Sequence, residues 1–524
     1  MNNTMPTQHP RLDARHAFLD TESPRFLLAC NAVLATIYFA AIAFLFPVGN
    51  PVLFTLLIGG EVFHLWQVLT FIYTVWDTEY QAPQQAGYTP HVDVFITVAG
   101  ESVELVERTI LAARAMQYPF FTVTVLNDGR VANKDNWREI EMLAWQQGVH
   151  CITRTIPGGA KAGNINHALG QTTHSLVAIF DADHVPHVDF LSKTVPYMAD
   201  AEVGFVQTPQ FYKNHAENYL TQSSWEQQEL FFGAICKGKN RLNSATMCGT
   251  NMVIRREALL AVGGMYTESI AEDFITGLLI HARGYRSVYV PEVLAEGLAT
   301  EDMLAYSKQQ FRWARGALDV IFRYNPLWVR GLTLPQRIQY LSSASFYLSG
   351  VIVLIDALLP VAYFFTGAVP ITINSMLLAA IFLPYIFFTL YMVQRTSNYT
   401  FTFPSLGFSM GSFPIHVKAL WAAATFQKSA FSITNKSRLE GNYLSLVLPQ
   451  LLYVAVVAVG IPFALFRDGF TASLVNNAMW GLLNIAIFVP MIRAALPTRR
   501  SKISQPVAEN LSHKKAYEIS STVA

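Results

Sequence analysis

Residues 176–183 read Leu-Val-Ala-Ile-Phe-Asp-Ala-Asp, an apolar run that ends in two carboxylates two positions apart. A short apolar run of this kind fits a buried strand. Two acidic side chains at its end can hold a hard cation, because Mg²⁺ and Mn²⁺ take oxygen ligands. The same pattern also fits a solvated turn, so the surrounding chain decides. Upstream, residues 91–98 (HVDVFITV) form a β-branched run, followed by a helical stretch over 103–116. Residues 122–126 (TVTVL) are the next strand, ending at Asn127-Asp128-Gly129. A helix over 134–147, a strand over 151–155 and a helix over 162–169 lead back to residue 176. Alternating strands and helices predict a largely parallel sheet with helices on both faces. Ligands of such sheets sit at the carboxyl ends of the strands. Thr97, Glu101, Asp128, Asp181 and Asp183 all fall there.

Beyond this block the composition changes. Of 524 residues, 52% are hydrophobic and 14% charged, against about 25% charged in soluble globular proteins. A membrane span needs roughly 20 apolar residues. Six runs qualify: 26–48, 52–76, 338–365, 371–393, 444–466 and 472–492. Positive charge collects in the first 25 residues (Arg11, Arg15, Arg25), between the fourth and fifth spans (Arg395, Lys418, Lys428, Lys436, Arg438) and after the sixth (Arg499, Arg500, Lys502). The positive-inside rule puts these segments and the central block in the cytoplasm, at the cell's inner membrane. The expected plan is a tail 1–25, two spans in 26–76, an α/β domain with interface helices over 88–330, and two spans in 338–393. An interface helix and loop over 394–443, two spans in 444–495 and a tail 496–524 complete it. Glu61 and Asp356 fall inside spans. A carboxylate there faces a bundle interior or polar path, unless it is protonated or at the interface. A net charge of +1 gives no reason to expect nucleic acid. Cys30, Cys151, Cys236 and Cys248 are widely spaced and read as free thiols.

Further strings carry candidate chemistry. Lys161 lies in Gly-Gly-Ala-Lys-Ala-Gly-Asn (158–164), where a lysine after glycines can approach phosphate; a surface turn fits equally well. Glu272-Asp273 precedes a helical run over 274–282 and offers a general base, or favourable charge at a helix start. Thr300-Glu-Asp302 is a similar acidic pair, but its place close before Gln309 argues against it. Gln-Gln-Phe-Arg-Trp (309–313) offers the Arg312 fork to a diphosphate and the Trp313 face to a sugar ring; an amphipathic helix along the membrane is compatible. Thr434 and Lys436, in Phe-Ser-Ile-Thr-Asn-Lys (431–436), belong to a basic juxtamembrane segment, which by itself reads as a lipid contact.

Together and in this order, the strings resemble the processive family-2 glycosyltransferases, bacterial cellulose synthase catalytic subunits and curdlan-type β-glucan synthases above all. That family carries a strand-end Asp-Gly, Lys-Ala-Gly-Asn, Asp-x-Asp, Thr-Glu-Asp and Gln-x-x-Arg-Trp. Here these are Asp128-Gly129, 161–164, 181–183, Glu272-Asp273 after Ala271, and 309–313. Gln207-Thr-Pro209, Gly249-Thr-Asn251, Arg255-Arg256 and 431–436 add to the match. The resemblance implies a GT-A-like α/β glycosyltransferase domain joined to a transmembrane helical bundle of about six spans. It implies a Mg²⁺ or Mn²⁺ cofactor at Asp183 and Asp181. Donor contacts would come from Thr97, Glu101, Asp128, Lys161, Asp181, Arg312, Thr434 and Lys436. Asp273, with Glu272 beside it, would be the catalytic base, and Gln309, Trp313 and Cys248 would hold the acceptor. The implied partners are a UDP-sugar, a growing polysaccharide, the bilayer and accessory export proteins, with no nucleic acid. The expected reaction polymerises UDP-glucose into a β-1,3 (curdlan-type) or β-1,4 (cellulose-type) glucan and passes it across the membrane. Ala99-Gly-Glu101 lacks the family's aromatic residue, which leaves the nucleotide open. The tail 496–524 is too short for the cyclic-di-GMP-binding domain of cellulose synthase subunits. Rival readings are a non-processive enzyme making a glycolipid and a nucleotide-binding transporter.

Overall fold

The computed structural model describes residues 21–372, 375–427 and 441–496. It opens with α1 (Arg25–Ala40), extended by a π-helical turn, and α2 (Pro51–Val75). The Asn50 side chain accepts from Val52 N and Leu53 N at 3.0 and 3.2 Å, with Pro51 in the first helical position. Both features favour a helix start.

The soluble domain follows in the order β1 (Val92–Val98), α3 (Val103–Arg114), β2 (Phe121–Asn127), α4 (Trp137–Gln146), β3 (His150–Thr153), α5 (Ala160–Leu169) and β4 (Leu176–Asp181). Then come β5 (Val203–Gln207), β6 (Met252–Arg255), α6 (Glu272–Ala282), β7 (Arg286–Tyr289) and α7 (Met303–Asp319). The strands form one sheet in the order β3-β2-β1-β4-β6-β5-β7. All neighbours run parallel except β6, which is antiparallel to β4 and β5. Every residue of β1 is buried, which is why the run is continuously apolar rather than alternating. Val94 and Ile96 pack with Val106 and Ile110 of α3 on one face. Phe95 packs with Ile165 and Leu169 of α5 on the other.

The register aligns Thr97 with Asp181 and Val98 with Asn127. Thr97, Asp128 and Asp181 therefore share one edge. Because β6 runs the other way, its leading residues Gly249–Asn251 arrive at that same edge. At the opposite edge, the buried Asp93 accepts from His174 Nδ1 at 2.7 Å and Arg256 Nη2 at 2.8 Å. Removing one member of a buried ion pair costs about 3–5 kcal/mol. Asp93→Ala is expected to lower stability by about that much, seen as a lower unfolding temperature in detergent.

The membrane part continues with α8 (Leu334–Ser345), α9 (Ser349–Thr366), α10 (Ser375–Thr396), α11 (Phe413–Ala424), α12 (Leu448–Asp468) and α13 (Ala472–Ala495). Among the described residues, six segments are long and apolar enough to cross a bilayer: Arg25–Leu45, Pro51–Val75, Leu334–Thr366, Met376–Thr396, Leu444–Asp468 and Ala472–Ala495. Two ends differ from expectation. The third segment starts earlier because Thr333 and Gln336 form a reciprocal cap, and α8 lies on the soluble domain, with Gln336 donating to Asn243 O at 2.9 Å. Ile371 is not helical; it pairs with Val48 in a β-bridge, supported by Gly49 N to Pro370 O and Asn50 N to Val369 O. Two of the apolar clusters lie wholly among the membrane helices and their flanks. Ala35, Ile42 and Tyr385 belong to a core of α1, α2 and α10. Val353, Phe364, Val457 and Phe488 belong to another, built by α9, α12 and α13.

Candidate active site

Twelve of the candidate residues line one cavity of about 370 Å³ at the carboxyl edge of β1, β2 and β4: Thr97, Glu101, Asp128, Lys161, Asp181, Asp183, Cys248, Glu272, Asp273, Gln309, Arg312 and Trp313. Thr434 and Lys436 lie outside the described residues.

The wall nearest β1 and β2 is tightly tied. Thr97 Oγ1 donates to Asp181 Oδ1 at 3.1 Å. In the turn after β1, Ala99 N donates to Glu101 Oε2 at 2.7 Å, and burial pushes the Glu101 carboxyl above its usual range. Asp128 accepts two hydrogen bonds from Arg154, Nε to Oδ1 at 2.8 Å and Nη2 to Oδ2 at 2.6 Å. Arg154 also donates to the carbonyls of Gly158 and Ala160. One buried guanidinium thus fixes the glycine loop against the end of β2, the planar bidentate arrangement for which arginine is suited.

That loop delivers Lys161 in the first turn of α5. Its Nζ pairs with Asp181 and donates to Gly249 O at 2.8 Å. Burial pulls the ammonium down, but Asp181, Glu272 and Asp273 outweigh it and hold the group above its ordinary range. Burial pushes the Asp181 carboxyl up, and Lys161 with His184 more than offsets this. Lys161 is therefore a cation facing three carboxylates.

Ligand atoms of Asp181, Asp183 and His184 lie within 4.8 Å of one another. His184 Nδ1 is 3.4 Å from Asp183 Oδ1, and neither ring nitrogen has a hydrogen-bond partner among the described residues. Two carboxylates and an imidazole suit a divalent cation.

The loop before β6 closes the cavity from the side. Cys248 N donates to Gln207 Oε1, and Asp181 N to Thr250 Oγ1, both at 2.9 Å. The Gln207 and Gly249-Thr-Asn251 strings are thus scaffolding. Gly249 has φ +80°, and a Cβ there would lie 2.8 Å from Asp273 Oδ2. Only glycine gives both the conformation and the space.

Glu272 and Asp273 do not precede the helix, as expected, but form its first turn. Their charges meet the positive end of α6, and Asp273 Oδ1 accepts from Phe274 N at 2.7 Å. Burial, with Asp273 beside it, raises Glu272 to about 7. Burial also raises Asp273, against the pull of the Phe274 amide, Lys161 and Arg312. The other acidic pair has a different use: Asp302 Oδ1 caps α7 by accepting from Ala305 N at 2.8 Å. Gln309, Arg312 and Trp313 follow at helical spacing, so they share one face of α7. Ala314 and Leu318 pack with Ala419 and Ala423 of α11.

The cavity residues not anticipated from sequence include Arg154, His184, Gln210 and Tyr212. His184 follows Asp183 directly and could have been included on that ground. Arg154 and Tyr212 carry no local signal, since their places depend on pairing between distant segments.

An open-edged α/β sheet with acidic residues at its strand ends, joined to six membrane-length helices among the described residues, is a GT-A-like fold on a helical membrane bundle. The family model described as glycosyltransferase like family 2 matches residues 90–316. The model described as cellulose synthase matches residues 260–396. The chain is thus similar to cellulose-synthase-like family-2 glycosyltransferases over its α/β domain and the first spans after it. It is 32% identical to the cellulose synthase catalytic subunit (UDP-forming) of Pseudomonas fluorescens over 80% of this chain and 59% of that one. It is 29% identical to cellulose synthase 1 of Komagataeibacter xylinus over 81% of this chain and 28% of that one. The chain thus spans only part of the length of these curated relatives. Among solved structures, the mannosyltransferase PcManGT of Pyrobaculum calidifontis, in complex with GDP-Man and Mn²⁺, shares the fold. The TM-score is 0.51 at 19% identity, covering 70% of this chain and 99% of that one.

Proposed function

We infer that this enzyme transfers a sugar, with inversion, from a UDP-sugar to the end of a growing β-glucan, with UDP-glucose as the first candidate donor. One observation carries this reading: the acidic pair of α6 and the Asp181-Asp183-His184 group open into the same cavity, with Lys161 between them. Asp273 takes the proton from the acceptor hydroxyl. The acceptor oxygen bonds to the anomeric carbon as the bond from that carbon to the diphosphate oxygen breaks. A single base without a nucleophile gives inversion, so an α-linked donor yields a β-linked product. Lys161 and Arg312 offset charge on the departing diphosphate. Asp181, Asp183 and His184 would hold Mg²⁺ or Mn²⁺, which when bound adds further charge stabilisation to the leaving group. Gln309, Trp313 and Cys248 position the acceptor. The soluble domain faces the cytoplasm, and the product leaves through the bundle.

The direct test incubates purified protein with radiolabelled UDP-glucose and a divalent cation, then measures product length and linkage. A β-1,3 or β-1,4 polymer supports the reading and fixes the linkage. Short glycolipid alone would replace it with a non-processive enzyme.

The coupled carboxylates also predict a pH effect. The Asp273 carboxylate opposes ionisation of Glu272, whose carboxyl it helps hold at about 7. Asp273→Asn removes that opposing charge and is expected to let Glu272 lose its proton at lower pH, followed by ¹³C NMR titration of the labelled carboxyl.

A further inference from the structure

Two cavity residues have no part in the reaction described above. Gln210 and Tyr212 line the cavity, whereas Phe211 between them does not. Phe211 turns the other way and packs on Trp225, with ring centroids 4.7 Å apart. This is the alternation of a strand, whose side chains at i and i+2 share one face. Phe211–Tyr212 is a short strand, parallel to Ala295–Gly297, which in turn runs antiparallel to Val185–Pro186. Lys213 N donates to Gly297 O at 3.1 Å. A Cβ at Gly297 would overlap the His184 ring. The small sheet therefore fixes Tyr212 beside the segment that carries Asp183 and His184.

Electrostatics place the Tyr212 hydroxyl more closely. Burial holds the phenol well above its ordinary range; Asp183 adds to this, Arg312 pulls against it and Cys248 again adds. The hydroxyl thus feels the acidic strand end, the Gln309–Trp313 face of α7 and the loop before β6 together. A neutral phenol both donates and accepts. Gln210 reaches the same loop, with Nε2 donating to Cys248 O at 2.9 Å. The next residue, Gly249, is the one that stands against Asp273 Oδ2. Among the described residues, neither Gln210 Oε1 nor the Tyr212 hydroxyl has a hydrogen-bond partner.

The nucleotide end of the cavity belongs to β1, β2 and the glycine loop. Gln210 and Tyr212 stand at the other end, beside the acidic pair of α6. A group entering there meets an amide oxygen and a phenol, both of which hydrogen-bond hydroxyls. It also meets the Trp313 ring, on whose face a sugar can lie. A site built to bond hydroxyls discriminates strongly, because a misplaced sugar leaves its buried polar groups unpaired. We propose that Gln210 and Tyr212 contact the terminal sugar of the acceptor and set which of its hydroxyls faces Asp273, and so select the linkage. This deepens the polymerising reading above and rests on it.

The test uses the full chain in liposomes with UDP-glucose and Mg²⁺. Tyr212→Phe keeps the ring, and Gln210→Met keeps the side-chain length. Polymer is analysed for linkage, and glucose incorporated is compared with UDP released. Wild type is expected to give one linkage and equal amounts of the two. In each variant a second linkage should appear, or incorporation should fall several-fold below UDP release. The latter follows when water replaces the acceptor hydroxyl at Asp273 and yields free glucose and UDP. Either sign supports the proposal. Wild-type linkage with unchanged stoichiometry in both variants overturns it, whatever the overall rate. Mn²⁺ affinity without donor should equal that of wild type. Its loss in Tyr212→Phe would make the phenol part of the cation site and overturn the acceptor assignment. If a variant forms no polymer, hydrolysis of UDP-glucose decides: retained hydrolysis supports the proposal, and its loss with intact Mn²⁺ binding overturns it. If the wild type forms no polymer, the polymerising reading itself fails. If it does and both variants match it, only the acceptor assignment fails.

Discussion

Asp273→Asn is expected to lower the rate of sugar transfer by about 10²–10⁴-fold, the range associated with losing a positioned general base. That corresponds to about 3–5 kcal/mol of transition-state stabilisation. The geometry makes the substitution clean. The asparagine carbonyl can still accept from Phe274 N, which now bonds Asp273 Oδ1 at 2.7 Å, so the start of α6 is kept. The lost property is the ability to take a proton. UDP release should therefore collapse while donor KM changes little. Asp302→Asn is the matched control. Asp302 belongs to the string that reads Thr-Glu-Asp, yet its side chain caps α7, a function asparagine serves equally well. That variant should keep near-normal activity. Loss of activity in Asp302→Asn with retention in Asp273→Asn would reverse the assignment of the base.

The contrast between these two aspartates shows where the sequence is informative. Strands β1 and β4 are legible because both faces are covered, which makes them continuously apolar, and the carboxylates that follow them are forced to one edge. Lys161, Asp181 and Arg312 stand at fixed distances from such elements, so their convergence follows from the order of strands and helices. The antiparallel β6 is harder to read. Met252–Arg255 is only four residues long, and its direction is set by pairing with β4 and β5, which no local pattern encodes. Arg154 is invisible for the same reason: its partner Asp128 lies across a strand pair. The start of α6 is hard to read because Ala271 provides no capping side chain, and the acidic residues occupy the first turn themselves. In the membrane, hydropathy counts the spans correctly but cannot see the Val48–Ile371 bridge. Likewise Glu61 and Asp356 are each conspicuous in sequence, whereas their meeting through His64 is a property of helix packing alone.

Asp183→Asn, or removal of divalent cation by EDTA, is expected to abolish most transfer. Asp181 is already committed: its Oδ1 accepts from Thr97 and its carboxylate pairs with Lys161. Asp183 brings a second carboxylate to the group, and His184 a ring nitrogen beside it. Replacing Asp183 by asparagine keeps an oxygen ligand but removes the charge, in a buried site where Coulomb interactions are weakly screened. Mn²⁺ affinity, followed by electron paramagnetic resonance without any donor present, should fall by at least about tenfold, equivalent to 1.4 kcal/mol. His184→Gln keeps both carboxylates and should weaken binding less. Added Mn²⁺ should restore EDTA-treated wild type but not Asp183→Asn at the same concentration. If Asp183→Asn binds Mn²⁺ as tightly as wild type, the cation is held elsewhere. The acidic strand end would then serve only to orient Lys161, and the diphosphate would depend on Lys161 and Arg312 for its charge.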